Sequence, residues 1–198
     1  MNCISEIKLI TLGNSHVGKT SFINRYTENT FSIHIPSTIG IDNKYKIEKL
    51  DNNEKIKVTI FDTNGQERFR SISYNMLKNA NGVLLFFDVT SRDSFDSIKE
   101  WMNNIYNFKD EKFPIVLIGN KIDKNKDERQ VLKEEGESEA EKYKIKYFET
   151  SCKMDINIKE TILYLLSIIN KTDDHNDSIK IKPMKKKRIK CCHKNKLN

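Results

Sequence analysis

The sequence predicts an α/β domain built on a six-stranded mixed sheet, one strand antiparallel, with helices on both faces. Three observations lead there. Six short β-prone runs alternate with helix-periodic segments. Two of those runs, Lys44–Leu50 and Lys55–Phe61, are joined through Asp51-Asn52-Asn53, a hairpin signal. The stretch Gly13-Asn14-Ser15-His16-Val17-Gly18-Lys19-Thr20, a Gly-x4-Gly-Lys-Thr phosphate-binding loop (P-loop), links the first strand to the first helix.

Taken in order, Ile7–Leu12 reads as the first strand and Thr20–Thr30 as the helix after the loop. In Lys55–Phe61, Ile56, Val58 and Ile60 alternate with Lys55, Lys57 and Thr59, which buries one face at period two. Val83–Phe87 and Ile115–Ile118 are continuous apolar runs, the pattern of central strands covered on both sides. Between them, Ser94–Phe108 is expected as one helix, with Phe95, Ile98, Met102, Ile105 and Tyr106 at helical spacing. Ile145–Phe148 reads as the last strand. A final helix follows, with Ile158, Ile162, Leu165, Leu166 and Ile169 as its apolar stripe. No internal repeat is present. From Lys171 the periodicity ends, and a disordered polar tail is expected.

With 198 residues, 37% hydrophobic and 32% charged, the chain suits one domain with a sizeable core and a charged surface. No run of 18 apolar residues predicts a membrane span. The first residues lack the character of a signal peptide, and Asn2 stands where N-myristoylation requires glycine. Four cysteines without framework spacing point to a reducing, cytosolic setting. The net charge of +7 divides unevenly. Ser178–Asn198 holds nine Lys/Arg and no acid, leaving 26 basic and 28 acidic residues in the body. A nucleic-acid-binding fold carries its positive charge on a folded face, so no nucleic-acid partner is expected.

The chemistry sits in four segments, each just after a predicted strand, where open α/β sheets bind nucleotides. In the phosphate-binding loop the glycines let consecutive backbone N–H groups converge on phosphate oxygens, aided by the positive end of the next helix. Lys19 is expected to reach the β- and γ-phosphates and Thr20 to ligate Mg²⁺. The other three segments are Asp62-Thr63-Asn64-Gly65-Gln66, Asn120-Lys121-Ile122-Asp123 and Thr150-Ser151-Cys152-Lys153.

Together these four resemble the Ras superfamily of small GTPases, whose fold is the P-loop NTPase small G domain. Ser37-Thr38-Ile39-Gly40-Ile41-Asp42, Asp62 through Phe69-Arg70-Ser71-Ile72, and Phe87-Asp88-Val89-Thr90 before Ser94-Phe95 point to its Rab branch. The resemblance implies that Gly13, Ser15, His16, Val17, Gly18, Lys19, Thr20 and Ser21 surround the phosphates of GTP or GDP. It implies that Thr38, nineteen residues after Lys19, closes on Mg²⁺ and the γ-phosphate, and that Asp62 holds Mg²⁺ through a water. Gly65 would offer its N–H to the γ-phosphate, and Gln66 would position the attacking water as the catalytic residue. Phe31, twelve after Lys19, would stack beside guanine. Asp123 would accept from guanine N1–H and its exocyclic amine, a pair adenine cannot donate. Asn120 and Lys121 complete that motif, and a backbone N–H of Ser151, Cys152 and Lys153 would meet guanine O6.

Departures from the family pattern also carry information. His16 stands where glycine, serine or alanine is common. It reads as an outward side chain at a tolerant position or as a modifier of nucleotide release. Asn64 and Cys152 each replace an alanine, and Cys152 could alternatively be a reactive thiol. Asn43, Phe61 and Met76 or Leu77 occupy the places of an aromatic trio with which many Rabs read effectors.

The resemblance divides the chain into a G domain, 1–170, and a hypervariable basic tail, 171–198. In that tail Lys185-Lys186-Lys187-Arg188 precede Cys191-Cys192, which resemble a double geranylgeranylation site although six residues follow them. A basic run beside two lipidated cysteines would supply the two signals stable anchoring requires. The function implied is a monomeric GTP-hydrolysing switch at the cytosolic face of intracellular membranes, regulating vesicle traffic. Exchange factor, activating protein and effectors would dock through residues 31–42 and 62–79. Two alternatives stay open: a GTP-binding, effector-recruiting module with little turnover, and a Ras-like signalling GTPase outside traffic.

Overall fold

The computed structural model describes residues 5–34, 41–49, 55–63 and 76–174, with backbone alone for Ile41 and 171–174. The elements run β1 (Ser5–Leu12), α1 (Lys19–Glu28), β2 (Ile41–Lys49), β3 (Lys55–Thr63), β4 (Gly82–Asp88), α2 (Arg92–Asp96), α3 (Ile98–Tyr106), β5 (Ile115–Asn120), α4 (Lys133–Lys142), β6 (Lys146–Thr150) and α5 (Ile158–Asp174), with a 3₁₀ turn at Lys126–Glu128. The strands form one sheet in the order β2-β3-β1-β4-β5-β6. β2 pairs antiparallel with β3, and every other neighbouring pair is parallel. The fold is the expected mixed α/β sheet. The predicted hairpin turn at Asp51-Asn52-Asn53 lies outside the described residues.

Alternation along β1 divides the core in two. Ile7 and Leu9 join a cluster with Phe22, Ile23 and Tyr26 of α1 and Ile162, Leu165 and Leu166 of α5. Ile10 and Leu12 face the opposite cluster, built with Trp101, Met102 and Ile105 of α3 and Ala140 of α4. Ile56, Val58 and Ile60 are all buried, as their period-two pattern required, and every residue of β4 and β5 is buried. Because β3 and β4 flank β1, the chain leaves β1 in opposite directions. The crevice at the carboxyl ends of β1 and β4 is therefore the topological switch point where such sheets hold ligands.

One expectation is corrected. The single helix expected over Ser94–Phe108 is two, α2 and α3, meeting at Ser97. α2 starts earlier because the Ser91 hydroxyl accepts from the Ser94 N–H as an N-cap. At the joint, the Ser97 hydroxyl donates back to the Asp93 carbonyl (2.7 Å), sharing that acceptor with its own backbone N–H (3.2 Å). α4, Lys-Glu-Glu-Gly-Glu-Ser-Glu-Ala-Glu-Lys, was not anticipated. It has no apolar stripe, and it buries only Gly136 and Ala140, one turn apart.

Candidate functional site

The loop after β1 is shaped by two glycines in the left-handed region. Gly13 has φ 130 and Gly18 has φ 98. A Cβ on Gly13 would lie 2.3 Å from the Phe86 carbonyl oxygen, and one on Gly18 would lie 2.2 Å from Asn120 Nδ2. Only glycine satisfies both the dihedral and the contact. His16 is also left-handed, at φ 63, with its side chain exposed. Val17 turns its side chain into the first core cluster, while Ser15 and Ser21 are half-buried beside the loop.

Lys19 opens α1, whose first N–H groups face the loop. Its ammonium is buried and donates to the carbonyls of Gly13 (2.9 Å) and Asn14 (2.7 Å). Burial lowers its pKa to about 8, and the Asp62 carboxylate opposes that shift. One residue on, the Thr20 hydroxyl donates to Asp62 Oδ2 at 2.6 Å, joining α1 to the end of β3. A hydroxyl and a carboxylate brought together beside a phosphate-type loop are the hard oxygen donors that Mg²⁺ takes alongside phosphate oxygens.

The ends of β5 and β6 form the other half. Asn120 is buried; its amide donates to the Val17 carbonyl (2.9 Å), and its oxygen accepts from the Thr150 hydroxyl (3.1 Å) and the Cys152 thiol (3.5 Å). One side chain thus ties the phosphate loop to the loop after β6. Lys121, at φ 71, pairs with Asp88 at 2.6 Å. The Ser151 hydroxyl donates to Asp123 Oδ1 at 2.5 Å and accepts from the Met154 N–H, which orients the carboxylate. Cys152 is buried, and burial pushes its thiol up to about 12, so the reactive-thiol alternative is not supported. Lys153 is exposed, and Phe31 packs half-buried against the cluster that contains Cys152.

The fold therefore gathers Gly13, Ser15, His16, Val17, Gly18, Lys19, Thr20, Ser21, Asp62, Asn120, Lys121, Asp123, Ser151, Cys152 and Lys153 along the carboxyl edge of the sheet. Thr38, Gly65, Gln66, Cys191 and Cys192 lie outside the described residues. Of the positions where many Rabs carry the aromatic trio, Asn43 is exposed and pairs directly with half-buried Phe61, while Leu77 is fully buried.

Several contributors were missed from sequence. Arg25 of α1 donates to the carbonyls of Cys152 (2.8 Å) and Lys153 (3.4 Å), across more than 120 residues. Asp88, in the run Phe87-Asp88-Val89-Thr90, holds Lys121. No spacing rule links Arg25 to its partners, because the contact exists only once α1 and the β6 loop lie side by side.

A sequence profile described as the Ras family matches residues 8–171. The human Ras-related protein Rab-8B is 44% identical over 158 residues, covering 80% of this chain and 75% of that protein. Rab-8 of Diplobatis ommata is 40% identical over 188 residues, 90% of this chain and 89% of the relative. RABE1e of Arabidopsis thaliana is 38% identical over 172 residues, with 87% and 78% covered. With matches of that extent, the chain belongs to the Ras family as a Rab-like small GTPase, an enzyme that hydrolyses GTP.

Proposed function

We propose that this protein is a guanine-nucleotide switch of Rab type that works at the cytosolic face of intracellular membranes and regulates vesicle traffic. The observation that carries the nucleotide choice is the bonded unit Val17–Asn120–Thr150 and Ser151–Asp123, which couples a phosphate loop to a carboxylate aimed by its neighbour. In this reading Lys19 and the loop backbone hold the phosphates, Asp123 selects guanine, and Phe31 stacks beside the base. Thr20 and Thr38, with Asp62 through a water, would hold Mg²⁺, which when bound neutralises phosphate charge. Gly65 and Thr38 sense the γ-phosphate, and Gln66 orients the attacking water. Turnover is slow until an activating protein assists.

The division into a G domain, 1–170, and a basic tail, 171–198, belongs to the same proposal. Cys191 and Cys192 carry prenyl groups, and Lys185, Lys186, Lys187 and Arg188 add attraction to anionic lipid. No described helix is long and apolar enough to cross a membrane. Residues 31–42 and 62–79 meet exchange factor, activating protein and effectors, and the chain acts as a monomer without nucleic acid.

The deciding experiment is nucleotide competition on the purified protein. GDP and GTP with Mg²⁺ are expected to bind far more tightly than ATP, by roughly 10⁴-fold where the carboxylate loses the two donors only guanine supplies. Asp123→Asn should move preference toward xanthine nucleotides, because the amide offers a donor to the xanthine carbonyl. Equal affinity for ATP and GTP would refute the reading. Gln66→Leu should bind GTP normally and lose stimulated hydrolysis, which single-turnover kinetics measure.

A further inference from the structure

One side chain of the phosphate loop reaches out of the site to the joint between α2 and α3. Asn14 Nδ2 donates to the Ser97 hydroxyl at 3.0 Å, and the Trp101 indole N–H donates to Asn14 Oδ1 at 2.9 Å. The partners dictate the orientation of that amide. An indole nitrogen can only donate, so the amide oxygen must face Trp101. Ser97 directs its single hydroxyl hydrogen at the Asp93 carbonyl, so toward Asn14 it can only accept. Asparagine satisfies both neighbours at once, with a donor on one side and an acceptor on the other. Trp101 is 2% exposed, so water is poorly placed to replace the bond.

The backbone of the same residue acts on the site. The Asn14 carbonyl accepts from Lys19 Nζ at 2.7 Å, next to the Gly13 carbonyl at 2.9 Å. Turning the peptide after Asn14 would break the lysine contact or strain the two side-chain bonds. We propose that Asn14 is a positioning residue: its amide, bridged between Ser97 and Trp101, fixes the carbonyl that holds Lys19 and so couples the α2–α3 joint to nucleotide retention. The proposal rests on the guanine-nucleotide reading above and assigns no chemical step to the bridge. It makes the helix joint a place from which the loop can be loosened without touching the ligand.

The test uses the full chain loaded with a fluorescent GDP analogue and chased with excess GDP and Mg²⁺. Trp101→Phe keeps a ring in the core but removes the donor, and Asn14→Ala removes both bonds. Each should speed dissociation by about threefold to tenfold, the range that one hydrogen bond implies. The double variant should be no faster than the faster single, since the two changes share a bond. Ser97→Ala, at a half-buried position, should speed release in the same direction. A tryptophan that merely fills space would lower the unfolding midpoint and leave dissociation unchanged. That result, or effects that multiply in the double variant, overturns the proposal.

A second readout does not depend on nucleotide kinetics. Trp101 is the single tryptophan of the chain, so its indole N–H gives one NMR resonance. Asn14→Ala should shift it upfield, whereas Asn14→Asp, which keeps an acceptor toward the ring, should leave it near the parent position. A resonance indifferent to Asn14→Ala overturns the bridge. If the parent retains no GDP, the guanine-nucleotide reading falls and takes the proposal with it. Firm GDP retention with unchanged rates in the variants removes the proposal alone.

Discussion

His16 holds a left-handed backbone with its imidazole exposed, so the loop carries a steric penalty that no described contact offsets. An L-residue in that region costs about 1–2 kcal/mol, and glycine gives back about 0.5–1 kcal/mol through its extra freedom when unfolded. His16→Gly is therefore expected to stabilise the nucleotide-bound protein by roughly 0.5–1 kcal/mol. Urea unfolding at saturating GDP measures it, and a loss of stability would mean the imidazole makes a contact that matters. The backbone state of His16 is only hinted at in the sequence: glycine is common at that position in the family, and histidine is among the few side chains enriched in the left-handed region. Gly13 and Gly18 were fully legible, because the motif spacing already demands residues without a Cβ. The bond from Ser151 to Asp123 was half legible, as both residues sat in named motifs but nothing indicated that one would aim the other.

Strands with strong patterns were readable, and the helix without one was not. α4 was missed because its packing depends on absence of bulk. The Tyr147 ring lies against Gly136, where an added Cβ would come within 2.5 Å of a ring carbon. Gly136→Ala gains about 1 kcal/mol of helix propensity but forces an overpacked contact costing about 1–3 kcal/mol. Net destabilisation of about 1 kcal/mol is expected from those two terms, and in a Tyr147→Ala background the same change should turn neutral or favourable. Paired denaturation curves check the sign.

The N-terminus of α4 supplies a pH test. The Glu135 carboxylate accepts from the Leu132 N–H (2.9 Å) and from Arg92 (2.8 Å), and these two contacts hold its pKa below the ordinary 4.5. A depressed carboxylate stabilises the fold above its unfolded pKa and loses that effect as pH falls through the folded value. Glu135→Gln should therefore lower the urea midpoint at pH 7, with the difference closing as pH falls below 4.5 and through the depressed folded pKa. Parallel midpoints across that range would show that the charge is irrelevant there.

At the scale of the molecule, the site belongs to no single element. It draws on the carboxyl ends of β1, β3, β5 and β6 and on both ends of α1. A ligand seated across so many segments binds only when the whole sheet is assembled. GDP at a hundredfold excess over its Kd should raise unfolding stability by about 2.7 kcal/mol, while ATP at the same concentration should leave it unchanged. Thermal scans with each nucleotide separate the two outcomes.

α1 links the two halves of the site as a gauge does. Its first residue holds the phosphate-type loop, and Arg25, six residues or about 9 Å further along the axis, grips two carbonyls of the loop after β6. The spacing of the two jaws is thus written in helical rise rather than in loop length, and helical rise does not stretch. One residue added to α1 before Arg25 would swing the guanidinium by about 100° and carry it about 1.5 Å further, off both carbonyls. A short rigid bar of this kind fixes the distance between the phosphate-type loop and the loop after β6 before any ligand arrives.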